Sequence, residues 1–253
     1  MNFTRVLREL KGNLLKNISF VLLMMLSVMV IVGFNRGMDS YIHSVDRFYE
    51  SNLAEDGQFT ILGSLTSKQR RSMERRFDLI IEENEFIDYT LSETQKAKIL
   101  GKNKEDIDIT IRIICTDRNI NQLAVLEGKL PENEDEALLD PKFASANGYK
   151  IGDNILLYDN TFHIVGYGIT PDYVNTLKNL SDFLASPQTF GVAYVSRSGF
   201  KKVDNGQSRT TLYCYKSKNL SDNGDKLKDY LIDHTTLLDF TERQYNARIQ
   251  TVY

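Results

Sequence analysis

A run of nineteen residues without a charged side chain, Asn17 to Asn35, limits the folds open to this 253-residue chain. As a helix, the run covers about 28 Å, close to the ~30 Å hydrocarbon thickness of a bilayer. Eleven of its residues are Leu, Ile, Val or Phe, and near the centre of a spanning helix such residues favour insertion by roughly 3 to 7 kcal/mol in total. The run predicts a transmembrane helix over residues 17–35.

Two other structures can contain an apolar run. A buried core helix is one, but such a helix is rarely apolar all round over this length between charged flanks. A cleaved signal peptide is the other, and its apolar stretch is usually about 7 to 15 residues long and ends at a small-x-small site. This run is longer and leads into Val32-Gly33-Phe34-Asn35-Arg36, which lacks such a site. We interpret it as an uncleaved anchor.

The distribution of charge predicts the orientation of the anchor. Residues 1–16 contain four basic side chains and one acidic side chain, whereas the rest of the chain contains 27 basic and 33 acidic residues. Basic flanks stay on the cytoplasmic side of a membrane. We therefore expect a protein of the cell membrane whose N-terminus is cytoplasmic and whose residues after about 35 are extracytoplasmic.

Both flanks of the predicted span show helical periodicity. Residues 1–16 predict a cytoplasmic amphipathic helix at the membrane surface, because their apolar side chains recur on one face. Residues 36–52 predict a stalk helix that continues the span, and an ordinary first helix of the outer domain fits the pattern equally well. The apolar positions are Phe3, Val6, Leu7, Leu10 and Leu14 before the span, and Met38, Tyr41, Ile42, Val45, Phe48 and Tyr49 after it.

Residues 53–253 predict a mixed α+β extracytoplasmic domain with one or two lobes. Thr66 is an N-cap candidate for a helix through about Glu82, whose buried face carries Met73, Phe77, Ile80 and Ile81. Residues 107–115 alternate as in a half-buried strand. Other predicted strands are 58–62, 86–91, 154–158, 162–169, 191–196 and 210–215, with apolar segments at 125–131 and 136–140, and other predicted helices are 142–147, between Pro141 and Gly148, and 222–234.

Composition excludes several classes of protein. A formal net charge of −3 and an isoelectric point near 5.7 argue against a nucleic-acid partner, which requires a basic surface. An apolar fraction of 42% is too high for a disordered chain. Two cysteines are too few for a disulfide scaffold. Cys115 and Cys214 both lie in predicted strands, where either a disulfide or two buried thiols would fit.

Several known catalytic motifs are missing from the sequence. His43, His163 and His234 form no local pair of metal ligands, and the sequence has no P-loop and no nucleophile elbow. Gly166-Tyr-Gly168 has two glycines of a nucleotide loop, but Pro171 follows instead of a helix, so a kink at a strand end is favoured. We therefore predict no catalytic residue, no cofactor-binding residue, no metal ligand and no cofactor.

A cluster of carboxylates after Pro131 could suggest a calcium site or a glycosidase pair. It lacks the spacing of an EF-hand, so we predict a solvated turn. Its members are Glu132, Glu134, Asp135 and Glu136.

With these residues placed, the chain resembles the FtsX-like, MacB-like permeases of bacterial ABC transporters over essentially its whole length. The resemblance rests on the order of several short segments rather than on one motif. They are Arg8-Glu-Leu-Lys11, Leu126-Glu-Gly-Lys-Leu-Pro131, Glu136-Ala-Leu-Leu-Asp140, Lys142-Phe-Ala-Ser-Ala-Asn-Gly148, Lys150-Ile-Gly-Asp153, Thr170-Pro-Asp-Tyr173, Phe190-Gly-Val-Ala-Tyr194, Phe240-Thr-Glu-Arg243 and Ala247-Arg-Ile249.

The resemblance implies a topology of one span, an outer domain like the MacB-like periplasmic core domain, and three further spans. No second apolar run precedes Tyr253, so we expect a fragment or a shortened or split product. The resemblance also implies two lobes in the outer domain, with the inserted lobe at about 116–200.

The function implied by the resemblance is mechanical. A separate ABC-type ATPase subunit would hydrolyse ATP, and this chain would transmit the motion to an outer domain that handles a lipid, peptide or protein client. The implied partners are that ATPase, membrane lipid and a second permease copy or relative. A single-pass membrane-anchored binding or sensing module without transport is the main alternative, and an anchored hydrolase acting through Asp172 or His163 is a third hypothesis.

Overall fold

The computed structural model describes residues 14–92, 95, 108–182, 184–204, 206–218 and 223–249. The chain divides into two compact units, Met1–Phe48 and Tyr49–Tyr253. The predicted amphipathic segment before Leu14 lies outside the described residues.

The first helix, α1, contains the predicted membrane span. It runs from Leu14 to Ser51 over 38 residues, or about 57 Å, which is nearly twice the hydrocarbon thickness. An 18-residue window within it has a mean hydropathy of 2.4, and none of that window is buried. The hydroxyls of Ser19 and Ser27 donate to carbonyls one turn earlier, as polar groups in an apolar medium require. By length and composition, α1 can cross a membrane.

Ten strands of the described residues form one sheet in the second unit. In chain order they are β1 Gly57–Ile61, β2 Leu79–Thr90, β3 Thr110–Cys115, β4 Ala124–Gly128, β5 Glu136–Leu139, β6 Asn154–Leu157, β7 Asn160–Ile169, β8 Phe190–Val195, β9 Thr210–Ser217 and β10 Leu237–Glu242. Their order in the sheet is β10-β1-β9-β2-β3-β8-β5-β7-β4, and β6 pairs with β7. The pairs β3–β8 and β5–β7 are parallel.

Helices accompany the strands in the described part of the second unit. They are α2 Ser67–Phe77, α3 Pro141–Asn147, α4 Arg197–Val203 and α5 Gly224–His234, with 3₁₀ turns at Pro171–Tyr173 and Arg243–Tyr245. Two hydrophobic cores lie between these helices and the face of the sheet that the helices cover. Helices α2 and α5 pack over Leu79 and Ile81, whereas α3 and α4 pack over Ile87 and its neighbours. Since alternate residues of a strand share a face, β2 supplies both cores from one side.

The opposite face of the sheet carries a third core beneath the loops. Phe86, Ile114, Val192 and Tyr194 pack there against Tyr173 of the first 3₁₀ turn. Because this face is also covered, β3 is buried on both sides, and the prediction of a half-buried strand is wrong.

The helix predicted after Thr66 is confirmed at its N-cap and at its buried residues Met73 and Phe77, but its predicted end at Glu82 is wrong, because α2 ends at Phe77. Asp78 adopts a left-handed conformation with φ 48°, and the following residues pair with β9 instead of continuing the helix. Ile81 is buried as a strand residue and Ile80 is exposed, because residues 79–81 follow the period of a strand.

The predicted fold class, α+β behind a long apolar N-terminal helix, is confirmed. The strands predicted at 58–62, 86–91, 154–158, 162–169, 191–196 and 210–215 are confirmed within a few residues at their ends, apart from β2, which begins seven residues earlier. The helix after Pro141 is confirmed, with Gly148 left-handed at its C-cap, as is α5 over its described residues. Helix α4 and strand β10 were not predicted.

Candidate functional site

The C-terminal end of α1 is held in a Schellman motif. The amide of Ala54 donates to the carbonyl of Tyr49 at 2.8 Å, and the amide of Leu53 donates to that of Glu50 at 3.3 Å. This motif needs a left-handed residue, usually Gly, yet the position is Leu53 with φ 49°. A non-Gly residue in this region costs roughly 1–2 kcal/mol, so other contacts must hold it there.

Those contacts come from the loop after β3. The amide of Asn121 donates to the carbonyl of Leu53 at 3.0 Å, and the amide of Gln122 donates to that of Asn52 at 2.8 Å. Asn121 is itself left-handed, with φ 54°. Two strained backbone positions therefore meet at one point, a feature that clusters at functional sites.

A fully buried carboxylate, Glu55, joins three parts of the chain at this point. Its Oε2 accepts a hydrogen bond from the Asn121 amide group at 2.7 Å, and its Oε1 accepts one from the Asn246 amide group at 3.1 Å. The backbone amide of Glu55 donates to Oδ1 of Asn121 at 2.9 Å. We call Tyr49, Leu53, Glu55, Asn121 and Asn246 the junction cluster.

Charged and thiol groups surround Glu55. Arg118 and Asp172 form a buried ion pair at 2.9 Å, and the thiol of Cys214 lies 2.8 Å from the Asn84 side-chain amide. Burial raises the pKa of Glu55 above its ordinary value, and the charge of Asp172 raises it further. Burial and then Glu55 raise the pKa of the Cys214 thiol. Burial by itself would lower the pKa of Arg118, but Asp172, Cys214 and Tyr173 together raise it above its ordinary value.

The segment Asn246–Ile249 is fixed to the same region. The hydroxyl of Tyr49 donates to the carbonyl of Ile249 at 2.5 Å. Arg248 donates to the carbonyl of Leu177 at 2.9 Å, and its guanidinium lies 5.0 Å from the ring centre of Tyr173. Two segments that carry the sequence resemblance, 170–173 and 247–249, therefore meet in the folded chain.

The junction cluster suits mechanical coupling rather than catalysis. Its polar groups are saturated by amide hydrogen bonds, and its members come from the end of α1, from the loop after β3 and from the segment after β10. Buried and fully satisfied networks fix a single geometry. A displacement of Tyr49 would therefore be passed to residues 118–122 and 246–249.

A separate cleft of about 270 Å³ lies beside α4. Glu83 and Glu85 of β2 contribute to its lining, together with Phe200 and Lys201 of α4. Arg209 pairs there with Glu85 at 3.0 Å and also with Asp204. Acidic and basic groups are equally represented in the lining, so the cleft selects no single sign of charge.

The hydrolase hypothesis placed Asp172 and His163 together in function, and the structure keeps them apart. Asp172 is buried in its pair with Arg118, whereas His163 is exposed on β7, 4.0 Å from Asp135. Along β7, His163 lies about 20 Å from Ile169 at 3.3 Å per residue, and Asp172 follows in the 3₁₀ turn after the strand. His43 lies in α1, and the ring of His234 stacks on Tyr230. Within the described ranges, no group of three His, Cys, Asp or Glu could hold a metal.

The acidic turn after Pro131 is only partly solvated. Glu136 is buried, pairs with Lys129 at 2.7 Å and accepts the amides of Glu132 and Asn133. The hydrogen bond from Lys129 is the main reason that the pKa of Glu136 falls to about 2. Its role is to fix this turn.

The two glycines of Gly166-Tyr-Gly168 lie within β7 rather than at its end. A Cβ on Gly166 would stand 2.3 Å from the carbonyl oxygen of Glu127, next to the bulge between β4 and β7. Gly166 permits close approach of two strands at an irregular part of β7, close to its end at Ile169.

Cys115 and Cys214 are both free, and the sheet explains why. Cys115 packs against the helix-covered core, whereas Cys214 lies on the other face with Asn84 and Glu55. They are also two strands apart, about 10 Å, beyond the roughly 7 Å that a disulfide spans between Cα atoms. The sequence left a disulfide and two buried thiols as alternatives, and the structure shows two free thiols.

Sequence reasoning missed most of the junction cluster. Only Tyr49 was singled out, as part of the apolar stripe after the span. Glu55, Asn121 and Asn246 are polar residues in loops, and nothing local distinguishes them from solvated ones. Their burial follows from contacts between residues up to 191 positions apart.

No family model and no curated protein matches the sequence. Among solved structures, the periplasmic region of MacB from Actinobacillus actinomycetemcomitans is 13% identical with a TM-score of 0.42, covering 76% of this chain and 91% of that one. The extracellular domain of the noncanonic ABC-type transporter YknZ from Gram-positive bacteria is 12% identical with a TM-score of 0.38, covering 68% and 86%.

Proposed function

We propose that this chain is the membrane-spanning N-terminal part of a permease component of an ABC transporter. Residues 17–35 would span the membrane from a cytoplasmic N-terminus, residues 36–52 would form the stalk, and residues 53–253 would be the extracytoplasmic domain. The chain would transmit the motion of a separate ATPase to that domain, which would act on a lipid, peptide or protein client.

The junction cluster is the observation that carries this proposal. Transmission of motion requires that the end of the moving helix be fastened to the domain it drives. Here the final turn of α1 is fastened through Tyr49 and Leu53, and the same cluster also holds the segment Asn246–Ile249. In a permease with further spans, that segment would lead back toward the membrane, so both connections would move together.

The proposal assigns partners by chemistry. ATP hydrolysis would come from an ABC-type ATPase subunit, since the chain has no P-loop of its own. Lipid would surround α1, whose apolar window is exposed on all sides. A second permease copy or a relative would form a dimer with this chain. The proposal includes no nucleic-acid partner.

A single-pass anchored binding or sensing module is the second candidate function. The cleft beside α4 favours it, because a concave site with both aromatic and charged lining is typical of ligand recognition. Such a module would bind its ligand without an ATPase.

Isolation of the tagged full-length chain from its native membranes tests the proposal. We expect an ATPase subunit with a P-loop to co-isolate, and ATP to change amide hydrogen exchange in residues 118–122 and 246–249. If no ATPase co-isolates, or if ATP leaves exchange unchanged, the transport proposal fails and the binding module is favoured.

A pair of matched variants tests the junction itself. Tyr49→Phe removes the hydroxyl that bonds to Ile249, so we expect it to weaken the ATP response at residues 246–249 while the ATPase still co-isolates. Tyr41→Phe is the same change at an exposed position of the same helix and should respond like the unmodified chain. Equal responses of the two variants would show that Tyr49 does not couple α1 to this segment.

A further inference from the structure

A second buried carboxylate lies close enough to Glu55 to influence it. Asp172 uses Oδ2 to pair with Arg118, and its Oδ1 is buried with no hydrogen-bond partner in the described part of the chain. A buried carboxylate oxygen without a donor is costly. A donor directed at this oxygen from inside the cluster would remove the cost.

The charge balance of the cluster indicates where such a donor can come from. Arg118 neutralises Asp172, and both are more than nine-tenths buried. An ionised Glu55 would then leave one uncompensated negative charge in a site with no exposure to solvent. The amide groups of Asn121 and Asn246 stabilise an ionised carboxylate only as neutral dipoles.

We propose that Glu55 is a buried proton-binding site, whose neutral carboxyl group completes the polar network between the end of α1 and the segment Asn246–Ile249. The bound proton removes the uncompensated charge and provides an O–H donor in the region of the Arg118–Asp172 pair, where Oδ1 of Asp172 has no hydrogen-bond partner within the described residues. The proposal holds whether or not the chain takes part in transport.

Several titratable or charged groups face this region. Asp172 raises the proton affinity of Glu55, whereas Arg118 lowers it, and the thiol of Cys214 donates a hydrogen bond to Glu55. Farther out, Lys216 donates to the carbonyl of Ala54 and lies 3.7 Å from Asp56, and Arg243 lies 3.8 Å from Asp56. The charge of Asp56 is balanced by Lys216 and Arg243. Burial and the charge of Asp172 therefore have the largest effects on the pKa of Glu55.

Proton binding at Glu55 has a defined effect on stability. The folded chain binds this proton more tightly than the unfolded chain, in which Glu has a pKa of about 4.3. The stability that this proton contributes to the folded chain is therefore fully present below about pH 4.3. It declines as the pH rises toward the raised pKa of Glu55 and is lost above that pKa. We expect the contacts of the junction cluster with residues 246–249 to weaken when the pH rises above the raised pKa of Glu55.

Infrared spectroscopy of the full-length chain in detergent tests the proposal directly, because a protonated carboxyl group has its own carbonyl stretching band. At a pH above the ordinary Glu pKa of about 4.3, we expect such a band in the unmodified chain and a weaker band in Glu55→Gln, because burial also raises the pKa of Asp140. Glu136→Gln is the matched control, since the pKa of Glu136 is lowered to about 2, and it should keep the band.

A second variant leaves Glu55 in place. Asp172→Asn removes the neighbouring negative charge and leaves Arg118 unpaired, so the band should disappear at lower pH than in the unmodified chain. A band that is as strong in Glu55→Gln as in the unmodified chain overturns the proposal. If either variant fails to fold, the unmodified chain decides, because the absence of any protonated carboxyl band above the ordinary Glu pKa of about 4.3 also overturns it.

Discussion

Arg112 shows how a single residue links the third core to the loop above it. It is 4% exposed in the middle of β3 and donates to both carboxylate oxygens of Asp88 at 2.7 Å. It also donates to the hydroxyl of Tyr173 at 3.0 Å, and its guanidinium lies 3.9 Å from the ring centre of Phe86. The charge is tolerated because the donors of the guanidinium find acceptors and aromatic faces.

We expect Arg112→Ala to destabilise the folded chain by about 3 kcal/mol, the lower end of the range for a broken buried ion pair. The lower end applies because Asp88 is 32% exposed and can be hydrated after the loss of Arg112. The measurement is urea unfolding of the full-length chain in detergent.

Arg197→Ala is the control for this prediction, because Arg197 and Asp117 form an exposed pair that should contribute less than about 1 kcal/mol. If Arg112→Ala lowers the free energy of unfolding by no more than Arg197→Ala does, then Arg112 does not stabilise the third core.

At the scale of elements, local chemistry explains where helices begin more readily than where they end. Helix α2 begins with a capping box, in which Thr66 accepts the amide of Gln69 and Gln69 accepts the amide of Thr66. Its end depends on Asp78 in a left-handed conformation, a position where Gly is the usual signal. Helix α1 likewise ends at Ser51, with Leu53 rather than Gly in the left-handed position after it, so the sequence gives only an approximate end for each helix.

We expect Thr66→Ala to destabilise the protein by about 1 kcal/mol, because it removes the side-chain acceptor for the first turn of α2. Thermal unfolding followed by circular dichroism measures the change. Thr66→Ser keeps the hydroxyl and should stay close to the unmodified chain. Equal losses for the Ala and Ser variants would mean that the methyl group, and not the cap, matters at this position.

For the molecule as a whole, β2 joins two halves of the sheet. Its residues Leu79–Phe86 pair with β9, and Phe86–Thr90 pair with β3. Leu79 and Ile87 enter different cores from the same strand. Because neither half can lose β2 without exposing its own core, the unit Tyr49–Tyr253 should unfold as one cooperative body.

This prediction can be checked with one substitution in each core. Leu79→Ala and Ile113→Ala should each reduce the free energy of the same unfolding transition by about 2–5 kcal/mol. Amide hydrogen exchange in β9 and β8, measured with increasing urea, should show both strands opening together. Opening of one strand at clearly lower urea would instead indicate two independently folding lobes, as the hypothesis of an inserted lobe at about 116–200 would allow.

The sequence by itself determined the apolar helix, the α+β class and most strands, because these depend on periodicity and composition within short windows. It also indicated Pro141 and Gly148 as the limits of α3. The tertiary structure alone decided the end of α2, the burial of both faces of β3, the separation of the cysteines and the junction cluster. The reason is physical: Glu55 and Asn246 are buried by their contact with each other across 191 positions, and a local pattern carries no information about such a contact.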